Sequence, residues 1–304
     1  MDFADVPGTI LLRPHGFDSE DGGGDYDFLE VGGDQLGLRI EESLGKPLVK
    51  ITRTYVHQRY YEWGQIDVLP SLEWNGFRYA DAEAVMASAI VGPEGFRRAR
   101  LGHDGVISWL TSLLWGGFYK EKYDGIITSA AHDDSECFYE SLEWALGVGW
   151  ADEMMAWAQR GEARKSAKHV KSIRMALKWK QFRRSGGDTI CSVARHWWCE
   201  ARHHLKPQLP MLAFVGPDGS GKSSVIAGVA DKLSNMGLQQ KFLHWRPYGV
   251  QGREDLGQPV SNPHADLPRG WLSSTVKLGV LFWDWWLASL TVLKHARAKT
   301  SLVI

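Results

Sequence analysis

Eight consecutive residues, Gly216-Pro217-Asp218-Gly219-Ser220-Gly221-Lys222-Ser223, have the types and spacing G-x-x-x-x-G-K-[ST] of a phosphate-binding loop. Glycines let backbone N–H groups curl around phosphate oxygens, and the positive end of a following helix adds to their field. Lys222 is placed to reach β- and γ-phosphates and the Ser223 hydroxyl to ligate Mg²⁺, and Ser224 is counted with residues 216–223 as ATP-binding. This chemistry predicts ATP and Mg²⁺ as cofactors. A second group lies in Gly24-Asp25-Tyr26-Asp27-Phe28-Leu29, where Asp25 and Asp27 alternate along an apolar segment. Residues i and i+2 of a strand share a face, so these two carboxylates are set to share a metal, with Asp67 of Gln65-Ile66-Asp67-Val68-Leu69 as a third. An acidic surface turn is the plain alternative.

Elements must position both groups. The apolar run 211–215 reads as a buried strand before the loop. A helix is expected from about Gly221 to Met236, stopped by Gly237. Short strands are expected at 9–13, 25–29, 49–52 and 65–69, with a helix between Asp34 and Leu44 ended by Gly45. From about 94 to 206 apolar residues recur at helical spacing, as in Val106, Trp109, Leu110, Leu113 and Leu114. Pro207 and Pro210 break that pattern.

From residue 211 onward the chain resembles the thymidylate-kinase-like branch of P-loop nucleotide kinases, on the strength of Gly216-x-Asp218-x-x-Gly221-Lys222-Ser223. The resemblance implies that Asp218 contacts the sugar hydroxyl of an acceptor nucleotide. It also implies that Arg246, after the segment Lys241-Phe242-Leu243-His244-Trp245, takes the acceptor's phosphate. Gly219 stands where some members carry a catalytic Arg. The wider layout, with His244-Trp245-Arg246-Pro247, Asn262-Pro263-His264, Pro268-Arg269-Gly270 and an aromatic helix, resembles thymidylate-kinase-like proteins of bacterial polysaccharide loci. Those carry a nucleotidyltransferase-like segment ahead of the loop. In such a segment Asp25, Asp27 and Asp67 would hold Mg²⁺ for attack on a nucleoside triphosphate. Its upstream Gly-Ser turn has only Gly8-Thr9 as a counterpart.

The expected organisation is therefore α/β and α+β multidomain. It comprises a nucleotidyltransferase-like segment (1–93), a helical connector (94–207) and the N-terminal half of a P-loop kinase fold (208–304). A complete kinase of this kind needs roughly 200 residues, and the chain reaches Ile304 in what reads as an unfinished strand. The expectation is a fragment, or a chain that binds nucleotide without efficient transfer.

Composition bounds the rest. The chain has 304 residues, 35 Lys+Arg against 36 Asp+Glu, and 44% hydrophobic residues. These are ordinary globular values that exclude a wholly disordered chain and a strongly basic nucleic-acid coat. Three cysteines, Cys137, Cys191 and Cys199, do not make a disulfide framework and point to a reducing, cytoplasmic setting. Charge is polarised: residues 1–34 hold nine acids and one base, and residues 160–206 hold thirteen Lys/Arg and three acids. A solvated helical face explains the basic stretch most simply; contact with an anionic membrane surface or with the chain's own acidic segments are the sharper readings. No nucleic-acid motif accompanies it.

Cys191, His196, Cys199 and His203 span about 18 Å if they share one helix, at ~1.5 Å per residue, too far for one zinc ion. His132-Asp133-Asp134 reads as an exposed loop. The run from Leu278 to Leu293, broken by Asp284 and carrying Trp283, Trp285 and Trp286, is short for a membrane span. It is expected as a core or cleft helix, with interfacial membrane contact and self-association through uncovered tryptophans as alternatives.

Overall fold

The computed structural model describes residues 9–12, 25–92, 95–205, 212, 214, 220–235, 240–241, 270–298 and 302–303. It is a mixed α/β chain that divides into two compact units, 1–202 and 203–304.

The first unit is built on a seven-stranded mixed sheet in the order β3-β4-β5-β2-β1-β9-β8. Its strands are β1 (Thr9–Leu12), β2 (Asp25–Glu30), β3 (Val49–Thr52), β4 (His57–Tyr61), β5 (Gly64–Leu69), β8 (Ile90–Val91) and β9 (Arg97–Arg98). β2 lies between β1 and β5, antiparallel to the first and parallel to the second. The four strands expected from alternation and turn residues are all present. β4 is additional: His-Gln-Arg-Tyr-Tyr carries no apolar alternation, yet it pairs along its length with β3 and β5.

Side chains leave the two faces of the central strands alternately. Leu11, Phe28, Ile66 and Val68 go to one face, where they meet Leu36 and Ile40 of α1 (Gln35–Leu44). Ile10, Leu12 and Leu29 go to the other and join a core shared with the helices. These are α3 (Leu101–Thr111), α4 (Asp124–Asp133), α5 (Ser135–Leu146), α6 (Val148–Gln159) and α7 (Val170–Leu205). The strand-rich residues 1–93 and the helical residues up to 202 thus meet in one unit through one core. Trp109 and Phe138 sit at its centre without solvent exposure, and the Trp109 indole N–H donates to Ser166 Oγ at 2.9 Å. A buried indole needs such a partner, since an unpaired donor there is costly.

A hairpin of β6 (Glu73–Trp74) and β7 (Phe77–Arg78) pins α7 to the sheet. Its two-residue turn, Asn75-Gly76, has φ of 52° and 84°, the geometry of a type I′ turn. The Gly76 Cα packs so near α7 that a Cβ there would lie 2.6 Å from the Val193 Cα. Trp74 receives the charged heads of Arg174 and Lys178 over its ring. α7 is not one straight helix: Ser185 has non-helical φ and ψ of −152° and 67°, so two segments meet there, followed by Gly186 and Gly187.

His132-Asp133-Asp134 is not a loop. The first two residues end α4 and the third precedes α5. Asp134 binds Arg100 at 2.6 Å and accepts from the Gly102 N–H at 2.8 Å, so it fastens the start of α3.

In the second unit, α8 (Lys222–Asn235) precedes β10 (Gln240–Lys241), and α9 (Trp271–Ala298) lies between β10 and β11 (Leu302–Val303). β10 and β11 pair in parallel, Gln240 with Leu302 and Lys241 with Val303. α9 runs well beyond the expected segment at both ends. Its Trp271, Leu278, Phe282 and Trp283 are exposed, where a core helix would bury them. Among the described residues, no helix is long and apolar enough to cross a membrane.

Candidate functional site

The carboxylates singled out at the N-terminal end lie on the two innermost parallel strands. β2 and β5 pair in register, with Asp25 opposite Gln65 and Asp27 opposite Asp67. Neighbouring strands lie about 4.8 Å apart, so Asp27 and Asp67 are adjacent on one face. That face is fixed by alternation: Asp27 shares it with Leu29, and Asp67 with Leu69, which packs against the same helical core. The sheet therefore buries the C-terminal halves of β2 and β5 under the helices and presents the carboxylates nearer the strand beginnings. The placement of Asp25 and Asp27 on a central strand replaces the surface-turn alternative.

Asp67 is half-buried and held by two amides. Gln65 Nε2 donates to its Oδ1 at 2.6 Å, and Gln58 Nε2 donates to its Oδ2 at 3.2 Å. Gln58 is the Cα partner of Asp67 on β4. Neither glutamine stood out in the sequence as a site residue. The period-2 spacing of Gln65 and Asp67 was a usable signal; Gln58 had none. Among the described residues, no three His, Cys, Asp or Glu side chains converge on a common point. The Asp25 side chain lies outside the described residues, so the described part of the expected trio is the pair Asp27 and Asp67. Two adjacent carboxylates suit Mg²⁺, which keeps several waters and commonly takes one or two protein carboxylates.

The opposite face of β4 carries a different acidic group with a structural task. Arg59 is fully buried, and its guanidinium binds Asp34 at 2.6 Å and Glu41 at 2.8 Å. Lys50 completes the group on Glu41 at 2.6 Å. His57 Nδ1 stands 3.4 Å from Asp34 Oδ1. Burial alone would raise the Asp34 pKa, but contact with His57 and the hydrogen bond and charge of Arg59 outweigh it and bring the value down to about 2. Glu30 turns inward from the end of β2 and caps α1, accepting from the N–H groups of Gln35 and Leu36 at 2.6 and 3.2 Å. These residues tie α1 to the sheet behind the carboxylate pair.

At the phosphate-loop motif, the description covers Ser220 onward. Gly221 has φ of 79°, a left-handed conformation that favours glycine, and α8 begins directly at Lys222. Lys222, Ser223 and Ser224 thus form the first turn of a fourteen-residue helix, where backbone N–H groups lack intrahelical partners. Gly216, Pro217, Asp218, Gly219 and Arg246 lie outside the described residues.

The zinc possibility weighed for α7 is not realised: Cys191, His196, Cys199 and His203 are spread along the second segment of that helix. His196 packs on Tyr55, and burial lowers its pKa.

Comparison of the chain with family models, with curated proteins and with solved structures gives no match.

Proposed function

We propose that this chain binds ATP with Mg²⁺ through residues 216–224. The observation that carries the reading is the start of α8 at Lys222, directly after a left-handed Gly221, in a segment whose sequence has the complete phosphate-loop spacing. The parallel pairing of β10 and β11 around α9 supports it, because a nucleotide-binding α/β unit is built from parallel strands joined by helices. Lys222 would neutralise charge on the β- and γ-phosphates, and Ser223 would supply a hydroxyl ligand to the metal. Mg²⁺, when bound, would offset phosphate charge. By resemblance to thymidylate-kinase-like proteins, Asp218 and Arg246 would orient an acceptor: a nucleotide, or another small phosphorylated or sugar molecule. Where that kinase fold is complete, phosphoryl transfer follows; otherwise the unit is a nucleotide-binding regulatory or scaffold element. Titration of the full chain with ATP, with and without Mg²⁺, is the direct test. Absence of saturable binding under both conditions would end the reading.

A second reading rests on the in-register pair Asp27 and Asp67. Two carboxylates side by side on the central strands suit metal-dependent nucleotidyl transfer, in which an acceptor displaces pyrophosphate from a nucleoside triphosphate. Release of pyrophosphate on incubation with a triphosphate and Mg²⁺ would distinguish this activity from phosphoryl transfer, which releases a nucleoside diphosphate.

A further inference from the structure

A cavity of about 390 Å³ opens in the first unit where the β6–β7 hairpin, the start of α2 (Ala82–Ala87), Trp144 of α5 and the bend of α7 meet. It lies beyond the C-terminal ends of β2 and β5, lined there by Val31 and Ser71, several residues along the strands from Asp27 and Asp67. Its volume is within the range of about 300–1,000 Å³ found for small-molecule sites.

Its walls carry both signs of charge. Arg78 comes from the hairpin and Arg184 from the last turn before the Ser185 bend. The Arg184 guanidinium stacks over the Trp144 ring at 3.5 Å and donates to the Trp144 carbonyl at 3.1 Å. It is held in place, with most of its donors unused. Burial lowers its pKa, and the nearby Arg78 acts in the same direction while Asp81 opposes both. Asp81 offsets the charge of Arg78 at Arg184, and both guanidinia line the cavity where an anion would add to that effect. Three carboxylates also line it: Asp81, which caps α2 by accepting from the Glu83 and Ala84 N–H groups, Glu83 of α2, and Asp188, which follows the bend. Three further α7 polar groups are already engaged. Gln181 donates to the Arg78 carbonyl at 2.7 Å, Thr189 to the Gln181 carbonyl at 3.3 Å and Ser192 to Glu73 at 3.4 Å.

We infer that this cavity is a binding site for a small phosphorylated polyol, of the sugar-phosphate class. Arg78 and Arg184 hold its phosphate, and Glu83 and Asp188 take its hydroxyls. One bidentate guanidinium satisfies a carboxylate, whereas two suit the dianionic, three-oxygen face of a phosphate monoester. The lining carboxylates would repel a second anionic group but accept hydrogen bonds from hydroxyls, which selects a ligand with one charged group and several hydroxyls. This site stands apart from the phosphate-loop reading and does not depend on it.

The test is calorimetric titration of the full chain with glucose 1-phosphate, glucose 6-phosphate, glucose and inorganic phosphate. At least one hexose phosphate is expected to bind saturably and at least tenfold more tightly than glucose or inorganic phosphate. Arg78→Ala and Arg184→Lys, both at exposed positions that the fold tolerates, should each weaken it at least tenfold and leave ATP affinity unchanged. Asp188→Asn should narrow the preference for hexose phosphate over inorganic phosphate. Lys222→Ala should leave hexose-phosphate binding intact. The inference is overturned if neither hexose phosphate binds, if the arginine variants bind as wild type, or if Lys222→Ala abolishes binding and so places the anion at the phosphate loop. Loss of ATP binding alone would count against the phosphate-loop reading and leave this one standing.

Discussion

Asp27 and Asp67 are direct neighbours across β2 and β5, forty residues apart in the chain and Cα partners in the sheet. Because they occupy one face, a metal bridging them would lose a ligand with either substitution. On the nucleotidyl-transfer reading, Asp27→Asn and Asp67→Asn are expected to reduce pyrophosphate release from a triphosphate by about 100-fold or more, with little change in melting temperature. Gln65→Leu, which removes the 2.6 Å hydrogen bond to Asp67, should cost about tenfold, as for other groups that orient a metal ligand. Steady-state pyrophosphate assays across Mg²⁺ concentrations check this; unchanged rates in both aspartate variants would remove the nucleotidyl-transfer reading.

Lys222 opens α8, and on the proposed ATP-binding reading its ammonium would stand against phosphate. A hydrogen bond to a charged group contributes about 1.5–3 kcal/mol, so Lys222→Ala should weaken ATP roughly 10- to 100-fold. Isothermal titration of both proteins at one salt concentration decides it, and equal affinities would contradict the assignment of residues 216–224.

The strands bearing Asp25, Asp27 and Asp67 were legible because alternation and flanking glycines are local signals. Their register was not: a pairing across forty residues leaves no trace in either segment. β4 escaped notice because its inward residues on one face are His57 and Arg59, types usually found at surfaces. Arg59 is buried only because Asp34 and Glu41 come to it from α1 and its approach. The cavity above the β6–β7 hairpin was illegible for the same reason as the register. Arg78, Trp144 and Arg184 are brought together by packing, and no motif joins them. Asp134 read as loop because its neighbours are polar, while its task is to secure the first turn of α3.

Arg59 tests the cost of breaking that buried group. It has no solvent exposure, whereas Asp34 and Glu41 retain some. Arg59→Met removes the cation shared by Asp34 and Glu41 and leaves Lys50 on Glu41 alone. A loss near the low end of the range for broken buried pairs, about 3 kcal/mol, is expected by urea unfolding. Gly37 lies against the Arg59 guanidinium so closely that a methyl group there would overlap it. Gly37→Ala should therefore cost about 1–3 kcal/mol despite improving helix propensity. Stabilisation by Gly37→Ala would show that Arg59 is not held where it stands.

Asp34 gives this group a pH signature. Its folded pKa is depressed, from an ordinary 3.8 to about 2. The folded state therefore favours the charged form, and the unfolded state binds the proton first as pH falls. The stabilisation is present above the ordinary value and is lost as pH drops through about 2. Wild type and Asp34→Asn should differ in stability by a constant amount above about pH 4, and the gap should close towards about pH 2. A gap independent of pH over that interval would place the pKa depression elsewhere.

The hairpin turn supplies the last test, because it couples one glycine to the geometry of the cavity wall. Gly76 has φ of 84°, a conformation that costs other residues about 1–2 kcal/mol. A methyl at Gly76 would also meet the Val193 backbone at 2.6 Å, and helix backbone cannot yield as a flexible side chain does. Gly76→Ala should thus destabilise the unit by more than the turn strain alone, about 2–4 kcal/mol in total. The displaced hairpin carries Arg78, whose carbonyl receives Gln181 from α7. Hydrogen exchange of α7 around the Ser185 bend should accelerate in the variant, while exchange in α4 and α6 stays as in wild type. Acceleration spread evenly over all helices would mean that the hairpin supports the whole core and not the α7 wall in particular.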